Sequence, residues 1–138
     1  MAGHTEAITS LAFHPTNDQL VSASGDKSLK VWNLKAESGD NVRTIGSQPD
    51  GLNDVRFSPD GKTIAAACAN GTVSLWNAEN GSAIRTITCG DSPLALAFKP
   101  DSLILAVGSY DGSVKLYNVS DGKLAATLIT PPKRAAGK

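Results

Sequence analysis

The 138-residue chain is 41% hydrophobic and 19% charged, with 13 Lys+Arg balancing 13 Asp+Glu, a composition that suits one domain with an ordinary core. Zero net charge argues against the broad basic footprint of a nucleic-acid binder, and no apolar run approaches the roughly 20 residues of a membrane span. Little self-repulsion opposes association with a second copy.

The first six residues lack a basic region followed by an apolar run, so no signal peptide is expected and the chain is expected to be cytoplasmic. A first strand is expected over 8–13, ITSLAF, followed by the turn FHPTND, where His14 reads as exposed turn surface. Strands over 19–23, 28–33 and 42–45 follow. The stretch SASGDKSLKVWN at 22–33 then returns as ACANGTVSLWN at 67–77 and as GSYDGSVKLYN at 108–118. Trp32, Trp76 and Tyr117 are separated by 44 and 41 residues, and so are Asp26, Asn70 and Asp111. Phe13, Phe57 and Phe98, in LAFHP, VRFSP and LAFKP, keep the same spacing. Three markers on one period identify an internal repeat of about 42 residues.

The second repeat predicts strands over 52–57, 63–68, 72–77 and 83–88, and the third over 94–98, 103–107, 113–118 and 124–129. In TVSLWN, Val73, Leu75 and Asn77 alternate with Thr72, Ser74 and Trp76, the period of a strand. SPDG at 58–61 has the proline and glycine placement of a type I turn. Asn70-Gly71, Asn80-Gly81, Asp111-Gly112 and Asp121-Gly122 read as hairpin pairs suited to the positive φ of tight two-residue turns. The length differences fall in NLKAESGDN and IGSQPDGLN, which marks both as surface connections. Residues 131–138, PPKRAAGK, read as a proline-stopped basic tail. No stretch carries a helical period.

These repeats resemble the WD-repeat β-propeller family over about residues 3–129. The match is closest in the first repeat, with Gly3-His4, ITSLAFHP and LVSASGDKSLKVWN. The resemblance implies an all-β chain of three four-stranded antiparallel blades, about 3–45, 46–87 and 88–130. It also implies a structural tetrad of His4, Ser22, Asp26 and Trp32, in which the indole and the imidazole find their partners. Read so, Ser22, His4 and Asp26 are not a catalytic triad, because a serine on a strand facing Trp32 has neither substrate space nor oxyanion donors. The later repeats depart from the pattern. The histidine place holds Gln48 or Ser47, then Cys89. The serine place holds Ala66 and Val107, and Asn70 and Tyr117 replace Asp and Trp. These two blades are expected to hold together by apolar packing.

No catalytic, cofactor-binding or metal site is expected. Cys68 and Cys89 lack the spacing of zinc ligands and read as reduced, packed thiols. Asp50, Asp54, Asp60, Asp91, Asp101 and Asp121 sit mostly in expected turns, where Asp bonds local backbone. By resemblance, partners would dock on loops before the first strand and between the second and third. Those loops carry Thr5, Glu6, Asp50, Asp91 and Tyr110, of which Tyr110 is the single hot-spot residue type. Three blades fall short of the roughly 4–8 of a closed propeller, and an open arc leaves two apolar faces in water. A homodimer giving six blades is expected, with a homotrimer giving nine next. A natural short protein, an excised piece of a longer one and an engineered unit are all open readings, and the clean blade boundaries and Met-Ala start suit the engineered one.

Overall fold

The computed structural model describes residues 3–35 and 42–128. Its regular elements are twelve strands in three antiparallel sheets, each laid down in sequence order. Blade one comprises β1 (Ile8–Phe13), β2 (Gln19–Ser24), β3 (Ser28–Asn33) and β4 (Val42–Ser47). Blade two comprises β5 (Leu52–Phe57), β6 (Thr63–Cys68), β7 (Thr72–Asn77) and β8 (Ala83–Thr88). Blade three comprises β9 (Pro93–Phe98), β10 (Ile104–Ser109), β11 (Val114–Asn118) and β12 (Leu124–Thr127). The all-β, three-sheet reading of the sequence therefore holds. The basic tail and most of the NLKAESGDN connection lie outside the described residues.

The registers repeat as closely as the sequence does. Ile8 pairs with Ser24, Leu52 with Cys68 and Pro93 with Ser109, each beside a register shift. That shift leaves Thr9, Asn53 and Leu94 in equivalent bulges of the first strands. β1 packs on β5, and β5 on β9, so the three first strands lie side by side.

Several strand ends differ from the sequence expectation, as β2, β4 and β10 run on to Ser24, Ser47 and Ser109, β9 and β11 begin at Pro93 and Val114, and β12 ends at Thr127, and so does the turn geometry. β10 starts at Ile104 rather than 103, because Ser102 adopts a φ of 65° and Leu103 N–H bonds the Asp101 carboxylate at 2.9 Å. The Asn-Gly and Asp-Gly pairs are not two-residue turns with both residues left-handed. Only the glycines have positive φ, 98° at Gly71 and 88° at Gly112, and their N–H groups bond Cys68 O and Ser109 O three residues back. The side chains of Asn70 and Asp111 instead accept from Thr72 and Ser113. Lys27 occupies the same place in blade one with a φ of 76°.

Two cores hold the blades together. Val21, Ala23, Leu29, Val31 and Ile45 of blade one meet Val55, Phe57, Ile64, Ala66 and Trp76 of blade two. The other face of blade two, Ala65, Ala67, Val73, Leu75 and Ile87, meets Leu96, Leu105, Val107 and Tyr117 of blade three. Blade two is thus covered on both sides, which is why the alternating TVSLWN is buried from Val73 to Trp76. Cys68 and Cys89 are free and buried in these two cores.

Candidate functional site

The structure brings His4, Ser22, Asp26 and Trp32 into one hydrogen-bonded chain. Trp32 Nε1 donates to Ser22 Oγ at 2.9 Å, and Ser22 Oγ lies 2.6 Å from His4 Nε2. His4 Nδ1 lies 2.9 Å from Asp26 Oδ2. With a neutral imidazole the order assigns the protons: the indole donates to the hydroxyl, the hydroxyl to Nε2, and Nδ1–H to the carboxylate, each bond polarising the next. The Asp26 carboxylate also accepts from the backbone N–H groups of Thr5 and Ser28 and from the Ser28 hydroxyl. Burial raises its pKa, but the bonds from Ser28, Thr5 and His4 together outweigh burial and hold the carboxyl well below its ordinary 3.8.

The same geometry decides against acyl chemistry at Ser22. A nucleophilic serine must be reachable and must face donors for an oxyanion. Ser22 is fully buried, and its oxygen already accepts the Trp32 N–H.

The two later blades show what happens without this chain. With Ala66 in the serine place, Trp76 Nε1 is buried with no hydrogen-bond partner among the described residues. Gln48, in the histidine place, instead accepts from Ser74 Oγ at 2.8 Å. In blade three, Tyr117 bonds the Cys89 thiol. Burial first, then this bond, pushes the phenol up, and burial raises the thiol against the same bond.

The candidate docking loops gather at one end of the blades. Each loop before a first strand bonds the turn between the second and third: Gly25 N to Ala7 O at 3.1 Å, Ala69 N to Gly51 O at 2.8 Å and Tyr110 N to Ser92 O at 2.9 Å. Neighbouring blades touch there, for a Cβ at Gly51 would lie 3.5 Å from Gly25 Cα, and one at Gly71 3.1 Å from Gly90 O. Thr5, Glu6 and Asp50 are exposed, Asp91 is half-buried, and Tyr110 is 77% exposed.

Sequence reasoning missed the links between blades. His14 is not bare turn surface. Its Nε2 donates to Gly61 O of blade two at 3.1 Å, its Nδ1 accepts from Thr16 and Asn17 N–H, and its ring meets Phe57 edge-on at 5.0 Å. Asp54, on the expected strand β5, is buried. It accepts from Ser10 Oγ of blade one at 2.7 Å and from Leu96 N–H of blade three at 2.8 Å. Thr9 Oγ1 donates to Leu52 O, Asn53 Nδ2 to Pro93 O and Arg56 Nε to Leu96 O. At the outer edge, Arg43 donates to the carbonyls of Ala78 and Glu79, and Arg85 to that of Ser120.

Three sheets on one register, with a polar tetrad at the first, agree with comparison to known families. The WD domain, G-beta repeat family model matches residues 1–33, 39–77 and 81–118. The chain belongs to the WD-repeat family. It is similar to coronin-7 from Rattus norvegicus, 40% identical over 78 residues, which is 56% of this chain and 8% of that protein. It is similar to WD repeat and SOCS box-containing protein 1 from Takifugu rubripes, 39% identical over 75 residues, 54% of this chain and 17% of that one. It is also similar to periodic tryptophan protein 2 homolog from Schizosaccharomyces pombe, 33% identical over 81 residues, 59% of this chain and 9% of that one. The matched stretch therefore spans a small part of each relative. WD-repeat domains generally serve as protein-interaction scaffolds and are typically non-catalytic.

The end faces complete the description. Phe13 of blade one is 71% exposed, whereas Phe57 at the equivalent place in blade two is 9% exposed. Leu11 is half exposed, and its counterparts Val55 and Leu96 are buried. At the other end, Leu128 is exposed where Ile45 and Ile87 are buried.

Proposed function

We propose that the chain is a non-catalytic, cytoplasmic interaction module of three WD-repeat blades that completes its ring by binding a second copy of itself. The carrying observation is the contrast between Phe13 and Phe57. The same repeat position is buried at Phe57 and partly buried at Phe98, where a preceding blade covers it, and open at Phe13, where none does. Blade three's outward face, with Ala106, Val114, Leu116 and Leu128, occupies the positions that Ala65, Val73, Leu75 and Ile87 use to cover blade three. Two chains give six blades, inside the usual range of about 4–8; three chains give nine, the next arrangement. The assembled ring would present Thr5, Glu6, Asp50, Asp91 and Tyr110 to protein partners on one face, with Tyr110 as anchor. His4, Ser22, Asp26 and Trp32 act as a structural tetrad that fixes blade one at the junction.

A second reading has its own support. The matched stretch is 8% to 17% of the relatives' lengths, so further blades of a longer WD-repeat scaffold would cover the same two faces. Phe13→Asp tests the shared premise. Phe13 is open in the single chain, so the variant should unfold cooperatively like wild type, yet the buried charge should abolish association. Unchanged association in Phe13→Asp would overturn the reading.

A further inference from the structure

We propose that the ring closes through a seam built differently from the two internal junctions: blade three meets blade one of a second copy along an edge stripped of polar clamps, and the ring opens and re-closes there. This rests on the closed-ring reading above.

At both internal junctions, side-chain donors reach across to backbone carbonyls of the next blade. The bulge residue of the first strand is one such donor. Thr9 Oγ1 bonds Leu52 O at 2.6 Å, and Asn53 Nδ2 bonds Pro93 O at 2.9 Å. The fourth strand supplies a second that both junctions share, while His14 and Arg56 each add a donor at one junction only. Arg43, opposite Val31, bonds Glu79 O at 3.0 Å and Ala78 O at 3.2 Å. Arg85, opposite Leu75, bonds Ser120 O at 2.6 Å.

Among its described residues, blade three has neither shared donor. Its bulge residue is Leu94, and the residue opposite Leu116 is Ala126. The acceptors such donors would meet are still present on blade one: the carbonyl of Lys35 is equivalent to those of Glu79 and Ser120, and that of Ile8 to those of Leu52 and Pro93. What Leu94 offers instead is apolar surface, 44% exposed, toward an Ile8 that is 51% exposed. Apolar contact attracts without fixing direction, while the Arg–carbonyl bonds fix register and hold the edge. A junction with only the first should associate readily and dissociate faster than one with both.

The occupant is blade one of a second copy because its exposed positions are those that the internal cores bury, and its acceptors match the clamps by position. Each dimer contains two seams, so one substitution acts twice.

The test installs the missing clamps. Ala126→Arg and Leu94→Asn, separately, should each lower the dimer dissociation constant roughly tenfold in analytical ultracentrifugation. Ala126→Met, bulky but without donors, should leave it within about threefold. Arg43→Ala, at an internal junction, should lower the unfolding midpoint without changing dissociation. If wild type dimerises and Ala126→Arg dissociates no more slowly than Ala126→Met, the seam proposal is overturned while the ring reading stands. If wild type is monomeric and Ala126→Arg dimerises, the seam is supported as the limiting junction. If neither dimerises, both readings fall and something other than blade one covers that face.

Discussion

Replacing Ser22 with alanine removes one oxygen and should cost more than most single-atom changes. The Oγ accepts from Trp32 Nε1 at 2.9 Å and faces His4 Nε2 at 2.6 Å, so its loss leaves two ring nitrogens without partners. The His4 side chain is 1% exposed, and water does not reach it in place of the hydroxyl. An orphaned buried polar group costs about 1–3 kcal/mol. Trp32 is only half-buried, which puts its share at the low end, and Ser22→Ala should destabilise by about 2–4 kcal/mol in total. Blade two already carries this state, with Ala66 beside an unpartnered Trp76 Nε1. The reverse change, Ala66→Ser, should therefore stabilise by about 1 kcal/mol. Urea unfolding at one fixed protein concentration reads both, with equal m-values required. If Ser22→Ala stays within about 0.5 kcal/mol of wild type, the tetrad does not fix blade one.

Lys27→Gly should stabilise by about 0.5–1 kcal/mol in thermal or urea unfolding, because Lys27 holds a φ of 76° where blades two and three use glycine. Gly61→Ala should destabilise by at least about 1 kcal/mol, since its φ is 75° and a Cβ would lie 2.5 Å from the His14 ring; an unchanged midpoint would mean the His14 link yields freely. Asp26 has a lowered folded pKa, so its carboxylate stabilises fully above the ordinary 3.8 and less as pH falls below it toward the folded value. The stability gap between wild type and Asp26→Asn should thus shrink between about pH 4 and pH 2, and a gap that widens on acidification would refute the assignment.

The parts of the fold legible in the sequence are those a repeat records locally. Phe13, Phe57 and Phe98 sit a constant distance before Trp32, Trp76 and Tyr117, so strand positions followed from spacing. The unpartnered Trp76 was foreshadowed by Ala66 in a serine place. The inter-blade links were not legible, because their acceptors are main-chain carbonyls that no residue type announces. Arg43 reads as an ordinary surface cation until Ala78 O and Glu79 O, 35 and 36 positions on, come within reach. His14 beside a proline likewise gives no sign that Gly61 O completes it. The turn geometry misled for a related reason: Asn70-Gly71 and Asp111-Gly112 fit several turns, and the side-chain bonds to Thr72 and Ser113 select among them.

Closure of the ring by a second copy is tested most directly by the mass of the folded species, measured by light scattering coupled to size exclusion over a dilution series. The account predicts a compact species at twice the 14.2 kDa chain mass, giving way to single chains only on dilution. A well-folded species at the single-chain mass at every concentration would contradict it.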